Sequence, residues 1–133
     1  MADASSLSLR DFFAPCTLGL EEVLVRELTD LGATDVEPRR GGAAFRGDRR
    51  IGYAANLWLR SAVRVQEKVA EFDACGKEAL YAGTREVEWE QWLDVTGTLA
   101  VDASVRDSRI THSGFAALTC ISIARKAWAR GRR

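Results

Sequence analysis

The sequence predicts an α+β chain, because its hydrophobic periodicity switches repeatedly between the helical and the strand repeat. Three observations carry this. Phe12–Asp48 reads FFAPCTLGLEEVLVRELTDLGATDVEPRRGGAAFRGD, one helical repeat enclosed by strand-like runs. A Gly-Gly pair then separates two of those runs. Further on, Thr98–Val105 alternates strictly, with Leu99, Val101, Ala103 and Val105 on one face.

Residues 1–10 are small and polar and are expected to form a frayed, flexible end. After Thr17 and Gly19, the positions Leu20, Val23, Leu24, Leu28 and Leu31 recur at the helical period, and Gly32 sits where a C-cap belongs. Val36–Arg39 and Ala43–Arg46 flank Arg40-Gly41-Gly42, the spacing of a β-hairpin, since glycine reaches positive φ without a Cβ clash. Asp48 is placed to cap a second helix carrying Ile51, Ala54, Ala55 and Trp58 at i, i+3, i+4 and i+7. Ala62–Phe72, with Val63, Val65 and Val69 in odd register, reads as a strand. The order is β-α-β-β-α-β, and Asp73–Gly76 is the expected boundary between domains at 11–73 and 77–133.

Beyond it, Lys77–Thr84 reads as helical, Val87–Trp89 as extended and Glu90–Leu93 as a helical turn. Thr98–Val105 is the clearest strand of this half. From Ser113 a helix follows, with Ala117, Ile121, Ala124 and Trp128 on its apolar side. Ser122, Lys126 and Arg130 lie on the polar side, with Arg125 alongside.

Length and composition narrow the function. With 133 residues, 47% of them hydrophobic, the chain can bury one ordinary core or two small ones, which leaves little room for a cofactor-binding enzyme domain. Cys16, Cys75 and Cys120 are odd in number and lack CxxC spacing, so neither a disulfide framework nor a metal site is expected. No apolar run reaches the roughly 18 residues a membrane span needs, and the start has no secretory signal pattern. The chain reads as cytoplasmic, with an organellar location left open. Its formal charge is zero, yet residues 1–36, 37–64, 65–103 and 104–133 carry 2 and 7, 7 and 2, 3 and 9, and 7 and 1 basic and acidic side chains. Blocks of −5, +5, −6 and +6 can build basic faces on a neutral molecule, because screening confines each field to about 8–10 Å. The plainer alternative is a set of solvated helix faces.

The run FFAP…GLEEVLVREL…LGA…V…GGAAFRGD, followed by IGYAANLWLRSAVRV, resembles the start of the THUMP-containing RNA methyltransferases, nearest to the large-subunit (23S) ribosomal RNA guanine-N2 enzymes. The resemblance runs from Phe12 to about Trp128 and is most specific from Gly19 to Arg64. It implies a ferredoxin-like domain, two helices on one sheet face, followed by a THUMP domain that captures RNA. It also implies a separate Rossmann-like methyltransferase domain that uses S-adenosylmethionine, and 23S ribosomal RNA as partner. No catalytic domain is read in this chain, which carries neither a methyltransferase glycine loop nor an Asn-Pro-Pro-aromatic motif, so no cofactor is expected to bind it. The THUMP half is expected to be partial, with an exposed sheet edge or helix face that favours self-association.

Two groups of basic residues could hold phosphates, since guanidinium forks suit phosphate oxygens and backbone binding needs several of them. The resemblance favours the group in the THUMP half: Arg106, Arg109, His112, Arg125, Lys126 and Arg130. Arg132 and Arg133 lie just beyond it. A secondary group, Arg39, Arg40, Arg46, Arg49 and Arg50, surrounds the hairpin and second helix. One departure weakens the first group: relatives show Lys-Asp-Ala-Ile or Lys-Asn-Ala-Ile where this helix has Ile121-Ser122-Ile123-Ala124, which shifts the burden to Arg125 and Lys126.

No catalytic role is expected of the remaining candidates. His112 is the only histidine and has no acid-base partner nearby, so it reads as a loop or N-cap-region residue within reach of phosphate; Ser113 suits an N-cap. Gly41-Gly42 lies between strands rather than before a helix, so it is a turn and not a phosphate loop. Glu86, Glu88 and Glu90 read as a solvated face. Trp58 and Trp128 fall on apolar stripes and are expected in the core, and Trp89 and Trp92 are expected to pack rather than stack on bases. The rival functions are a non-RNA protein-interaction module and an acylphosphatase-like hydrolase, for which Asn56 and Arg60 are the nearest Arg/Asn pair.

Overall fold

Strand β1 (Arg10–Pro15) lies at the centre of a four-stranded antiparallel sheet, between β3 (Gly42–Gly47) and β4 (Gln66–Glu67), with β2 (Thr34–Arg39) outermost beside β3. The computed structural model describes residues 8–94 and 96–130, excepting the side chains of 128–130. Contacts divide these residues into two units, with the break after Val69.

In the first unit, α1 (Glu21–Asp30) and α2 (Arg49–Trp58) complete a ferredoxin-like β-α-β-β-α-β arrangement. Alternation puts Phe12 and Ala14 of β1, and Ala43 and Phe45 of β3, on the same buried face. Phe12 and Phe45 stand directly opposite each other in the ladder and stack with ring centroids 5.2 Å apart. Leu24 and Leu28 of α1 and Ala55 of α2 close the core over them. Gly52 brings α2 down onto the sheet, because a Cβ there would lie 2.8 Å from the Phe12 ring.

The turns follow the expected chemistry. Gly32 after α1 and Gly41 in the hairpin have φ of +87° and +79°, and the Asp48 carboxylate accepts the Ile51 N–H at 2.9 Å to cap α2. On the edge strand, the register shifts between Thr34 and Glu37, around Asp35 at φ +49°, and Pro38 is tolerated there because its missing N–H spoils no inner ladder.

Three expectations are corrected in this unit. Arg10, assigned to the frayed end, already opens β1. Ala62–Phe72 is not one strand: Gln66–Glu67 pairs with β1, Ala62 makes an isolated bridge to Cys16, and Val63 points to solvent at 69% exposure. Trp58 is 69% exposed, not core. Gly52 and Ala55 set the buried side of α2, and the chain leaves the helix at Leu59 with extended dihedrals, so Leu59 and Ala62 pack where Trp58 was expected.

The second unit contains α3 (Lys77–Glu86), a 3-10 turn (Trp89–Gln91) and α4 (Ser113–Arg130). Leu80 and Thr84 of α3 are buried with Ile110 and with Thr119, Ile123, Ala124 and Ala127 of α4. The buried stripe of α4 is therefore centred on Thr119, Ile123 and Ala127, rotated from the expected Ala117 and Ile121. Trp128 lies outside the described side chains. Trp89 belongs to the 3-10 turn rather than an extended piece, and its indole N–H donates to the Thr84 carbonyl at 2.9 Å. Trp92, also expected to pack, keeps 37% of its surface exposed. The predicted strand Thr98–Val105 pairs with nothing among the described residues and is irregular. Its alternation survives in burial: Leu99, Val101, Ala103 and Val105 are half-buried, and the residues between them are exposed. Periodicity fixes which side chains face inward, but a strand also needs a partner backbone.

Candidate nucleic-acid interface

In the second unit, the segment leading into α4 folds tightly at Arg106-Asp107-Ser108-Arg109. Asp107 takes a φ of +47°, the Ser108 hydroxyl accepts the Ile110 N–H at 3.1 Å, and the buried Ile110 anchors the turn. Arg106 and Arg109 flank that turn and are exposed, as is His112, whose carbonyl accepts the Ala116 N–H at 3.3 Å as α4 begins. Arg125 and Lys126 are exposed on α4, beside the exposed Ser122 and away from the Thr119–Ile123–Ala127 stripe. Arg130 ends the helix, with its side chain outside the described residues, as are Arg132 and Arg133. None of the ion pairs among the described residues involves Arg106, Arg109, Arg125 or Lys126. From His112 to Arg125 the helix rises by about 20 Å, so the group suits a run of phosphates and not a single anion.

The hairpin group is electrostatically different. Arg39 pairs with Glu37 at 2.7 Å. Arg46 lies 3.1 Å from Asp11 through Nε and 3.5 Å from Asp35 through Nη1, although its buried Nε is not aligned for a hydrogen bond. Arg40, Arg49 and Arg50 are exposed and in no ion pair among the described residues.

Two carboxylates that carried no signal in the sequence shape the first unit. Glu21 accepts the N–H groups of Gly41 at 3.0 Å and Gly19 at 2.7 Å, tying the hairpin turn to the start of α1, and the Gly41 bond foremost holds its carboxyl below the usual range. Glu27 accepts the Ser61 hydroxyl at 2.6 Å and the Ser61 and Arg60 N–H groups at 3.1 and 3.3 Å. Those bonds, the Ser61 hydroxyl first, lower its pKa against the opposing effect of burial.

The remaining chemistry is quiet. Asn56 donates to the Gly52 carbonyl at 3.0 Å and the Arg60 guanidinium reaches Glu27 at 3.4 Å, so both are engaged and no hydrolase pair forms. The three cysteines are free, and burial raises the pKa of Cys16. No metal-binding group of three acidic, cysteine or histidine residues occurs among the described residues. Glu86, Glu88 and Glu90 are exposed. A cavity of about 230 Å³ is lined by Trp92, Leu93, Asp94, Gly97, Thr98 and Leu99, and the Asp94 carboxylate there is spent on the Thr96 N–H and hydroxyl. At the strand-to-helix turn before α2, the residues present do not fit S-adenosylmethionine. That turn is filled by its own side chains, since a Cβ on Gly47 would lie 2.6 Å from Ile51, and Asp48 already occupies that helix start. Among the described residues, no helix is long and apolar enough to cross a membrane.

Fold and surface define the class: a ferredoxin-like unit followed by a second unit in which cations with no ion pair among the described residues line a loop and a helix. Residues 11–66 match the model of the RlmL ferredoxin-like domain and residues 76–130 that of the THUMP domain. The chain belongs to these two domain families, joined in that order. It is 47% identical over 107 residues to a ribosomal RNA large subunit methyltransferase K/L of Syntrophotalea carbinolica, covering 80% of this chain and 15% of that protein. The corresponding protein of Methylococcus capsulatus is 44% identical, over 81% of this chain and 15% of its own length. A putative RNA methyltransferase of Synechocystis is 36% identical over 89% of this chain and 31% of its own. Among solved structures, a predicted N6-adenine-specific DNA methylase from Listeria monocytogenes superposes with a TM-score of 0.87 at 25% identity, over 93% of this chain and 32% of that one. A putative methyltransferase complexed with SAH gives 0.86 at 27% identity, over 92% of this chain and 33% of its own. The chain thus spans about 15% of the K/L relatives and about a third of the solved structures.

Proposed function

We propose that this chain is the RNA-binding module of a ribosomal RNA methyltransferase. It holds structured 23S RNA by the phosphate backbone, while a Rossmann-like domain outside this sequence methylates a guanine at N2 with S-adenosylmethionine. The observation that carries this reading is the set of free cations among the described residues of the second unit, against a hairpin group in which only Arg40, Arg49 and Arg50 are unpaired among the described residues. Arg106, Arg109, Arg125 and Lys126 are exposed and free of acidic partners among the described residues, whereas Arg39 and Arg46 are already paired with carboxylates. The THUMP match over residues 76–130 and the ribosomal RNA methyltransferase relatives support the same assignment. Recognition is of shape and phosphate, since A-form RNA hides its base edges in a deep, narrow groove.

Titrating the chain against a structured RNA stem-loop over a range of salt tests it. Changing Arg106, Arg109, Arg125 and Lys126 together to Ala weakens binding to stems of any sequence. The slope of log K against log salt becomes shallower by somewhat less than one unit per lost contact. A wild-type chain with no salt-sensitive affinity for such RNA overturns the proposal and favours a protein-interaction module instead.

A further inference from the structure

The ferredoxin-like unit carries a face that its own fold does not use. At the helical repeat, the exposed arc of α2 runs from Arg49 through Tyr53, Leu57 and Arg50 to Trp58, about half the circumference. Its three large apolar side chains are 63%, 78% and 69% exposed at Tyr53, Leu57 and Trp58. A ten-residue helix ordinarily turns such residues inward; here the inward side is taken by Gly52 and Ala55.

The charge on this face selects the occupant. Helix α2 contains no carboxylate, and Arg49 and Arg50 stand in its first turn, where the helix dipole disfavours cations. The nearest acid, Asp48, is committed to the Ile51 N–H. Arg64 beyond the helix is exposed and in no ion pair among the described residues, whereas Arg60, although 91% exposed, is already paired with Glu27 at 3.4 Å. Exposed aromatic rings interleaved with unneutralised arginines form a surface for a flexible polyanion whose units have flat faces, which is unpaired nucleic acid. An apolar protein partner would use the rings but would leave the arginines unmatched.

We infer that α2 is a second RNA site, distinct from the phosphate-binding residues of the THUMP unit, and that it takes a single-stranded segment. Bases stack on Tyr53 and Trp58, while Arg49 and Arg50 meet the phosphates. Tyr53 and Trp58 are roughly 8 Å apart along the helix axis, so the rings seat two separate bases. The site has little sequence preference, because every base offers a π-face. This inference rests on the chain being an RNA-binding module and adds that it holds unpaired nucleotides as well as folded stems.

Fluorescence anisotropy of the whole chain with two probes tests it: an oligouridylate of about ten nucleotides and a blunt RNA stem-loop. Tyr53→Ala with Trp58→Ala lowers oligouridylate affinity at least about fivefold and leaves stem-loop affinity unchanged; Tyr53→Phe with Trp58→Phe retains both. Arg49→Ala with Arg50→Ala makes the salt dependence for oligouridylate shallower. Circular dichroism melting of each variant verifies that the fold is kept. Unchanged oligouridylate affinity in the double alanine variant overturns the inference. So does a stem-loop bound by a chain that ignores oligouridylate, a result that leaves the proposed function standing. Sedimentation that shifts in the alanine variant while RNA affinities stay fixed assigns the face to a protein contact and overturns it as well. Failure to bind either probe removes both readings.

Discussion

Glu27 of α1 accepts the Ser61 hydroxyl at 2.6 Å across 34 positions of sequence, and the same carboxylate takes the Arg60 and Ser61 N–H groups. The chain leaving α2 is thereby latched to α1, on the way from the exposed α2 face to β4. A carboxylate that satisfies two backbone donors and a hydroxyl cannot be replaced by water at the same geometry without cost.

Glu27→Ala is expected to destabilise the ferredoxin-like unit by about 1–3 kcal/mol, and Ser61→Ala by about 1 kcal/mol or less. Urea unfolding followed by circular dichroism measures both as a lower midpoint at unchanged m value. A midpoint for Glu27→Ala within error of wild type would remove the latch.

Acid is expected to weaken the same unit. Hydrogen bonds lower the folded-state pKa of both Glu27 and Glu21 from the ordinary 4.5. Their stabilisation is therefore fully present above that value and is lost as pH falls through the lower folded pKa. Urea midpoints measured from neutrality downward decline over that window, and Glu27→Gln flattens part of the decline.

Gly52→Ala is expected to cost about 1–3 kcal/mol by overpacking, since its Cβ would sit 2.8 Å from a Phe12 ring held by Phe45. Alanine is the better helix former, so a gain in stability would show that the ring can move aside. Thermal melting decides the sign.

Arg46→Ala tests the secondary basic group. Its partners Asp11 and Asp35 are more than half exposed, so the loss of stability is expected to stay within about 1 kcal/mol. Affinity for a structured stem-loop remains near wild type, in contrast to the loss on changing Arg125 and Lys126. An equal loss in both would place phosphate contacts on the hairpin.

Titration calorimetry of the chain with S-adenosylmethionine is expected to show no saturable heat, because the strand-to-helix turn before α2 is filled by Ile51 and capped by Asp48, and the sequence carries no methyltransferase glycine loop. Stoichiometric binding would reveal a cofactor site of a different kind.

Much of this organisation was legible wherever the determinants are local. The Asp48 cap, the turn glycines Gly32 and Gly41, and the apolar faces of α1 and β3 each depend on residues within a few positions of one another. Element type follows from such neighbours, because helix and strand repeats expose different side chains on one face. The clusters of arginine were equally visible, since charge can be counted along the chain.

Partnership was not legible. The alternation of Thr98–Val105 determined which side chains face inward, yet only a neighbouring backbone could make it a strand, and none of the described residues supplies one. In the same way, the periodicity of α2 puts Trp58 on a core stripe, and tertiary packing alone decides that Gly52 and Ala55 meet the sheet and leave Tyr53, Leu57 and Trp58 outside. Arginines alike in sequence were sorted into paired and free by carboxylates such as Asp11 and Asp35, which lie distant in the chain or across the hairpin. The sequence by itself determined local geometry and the sign of each charge block. Which faces are covered and which charges are neutralised was left to the tertiary structure, because burial and ion pairing depend on distances in space that no local repeat encodes.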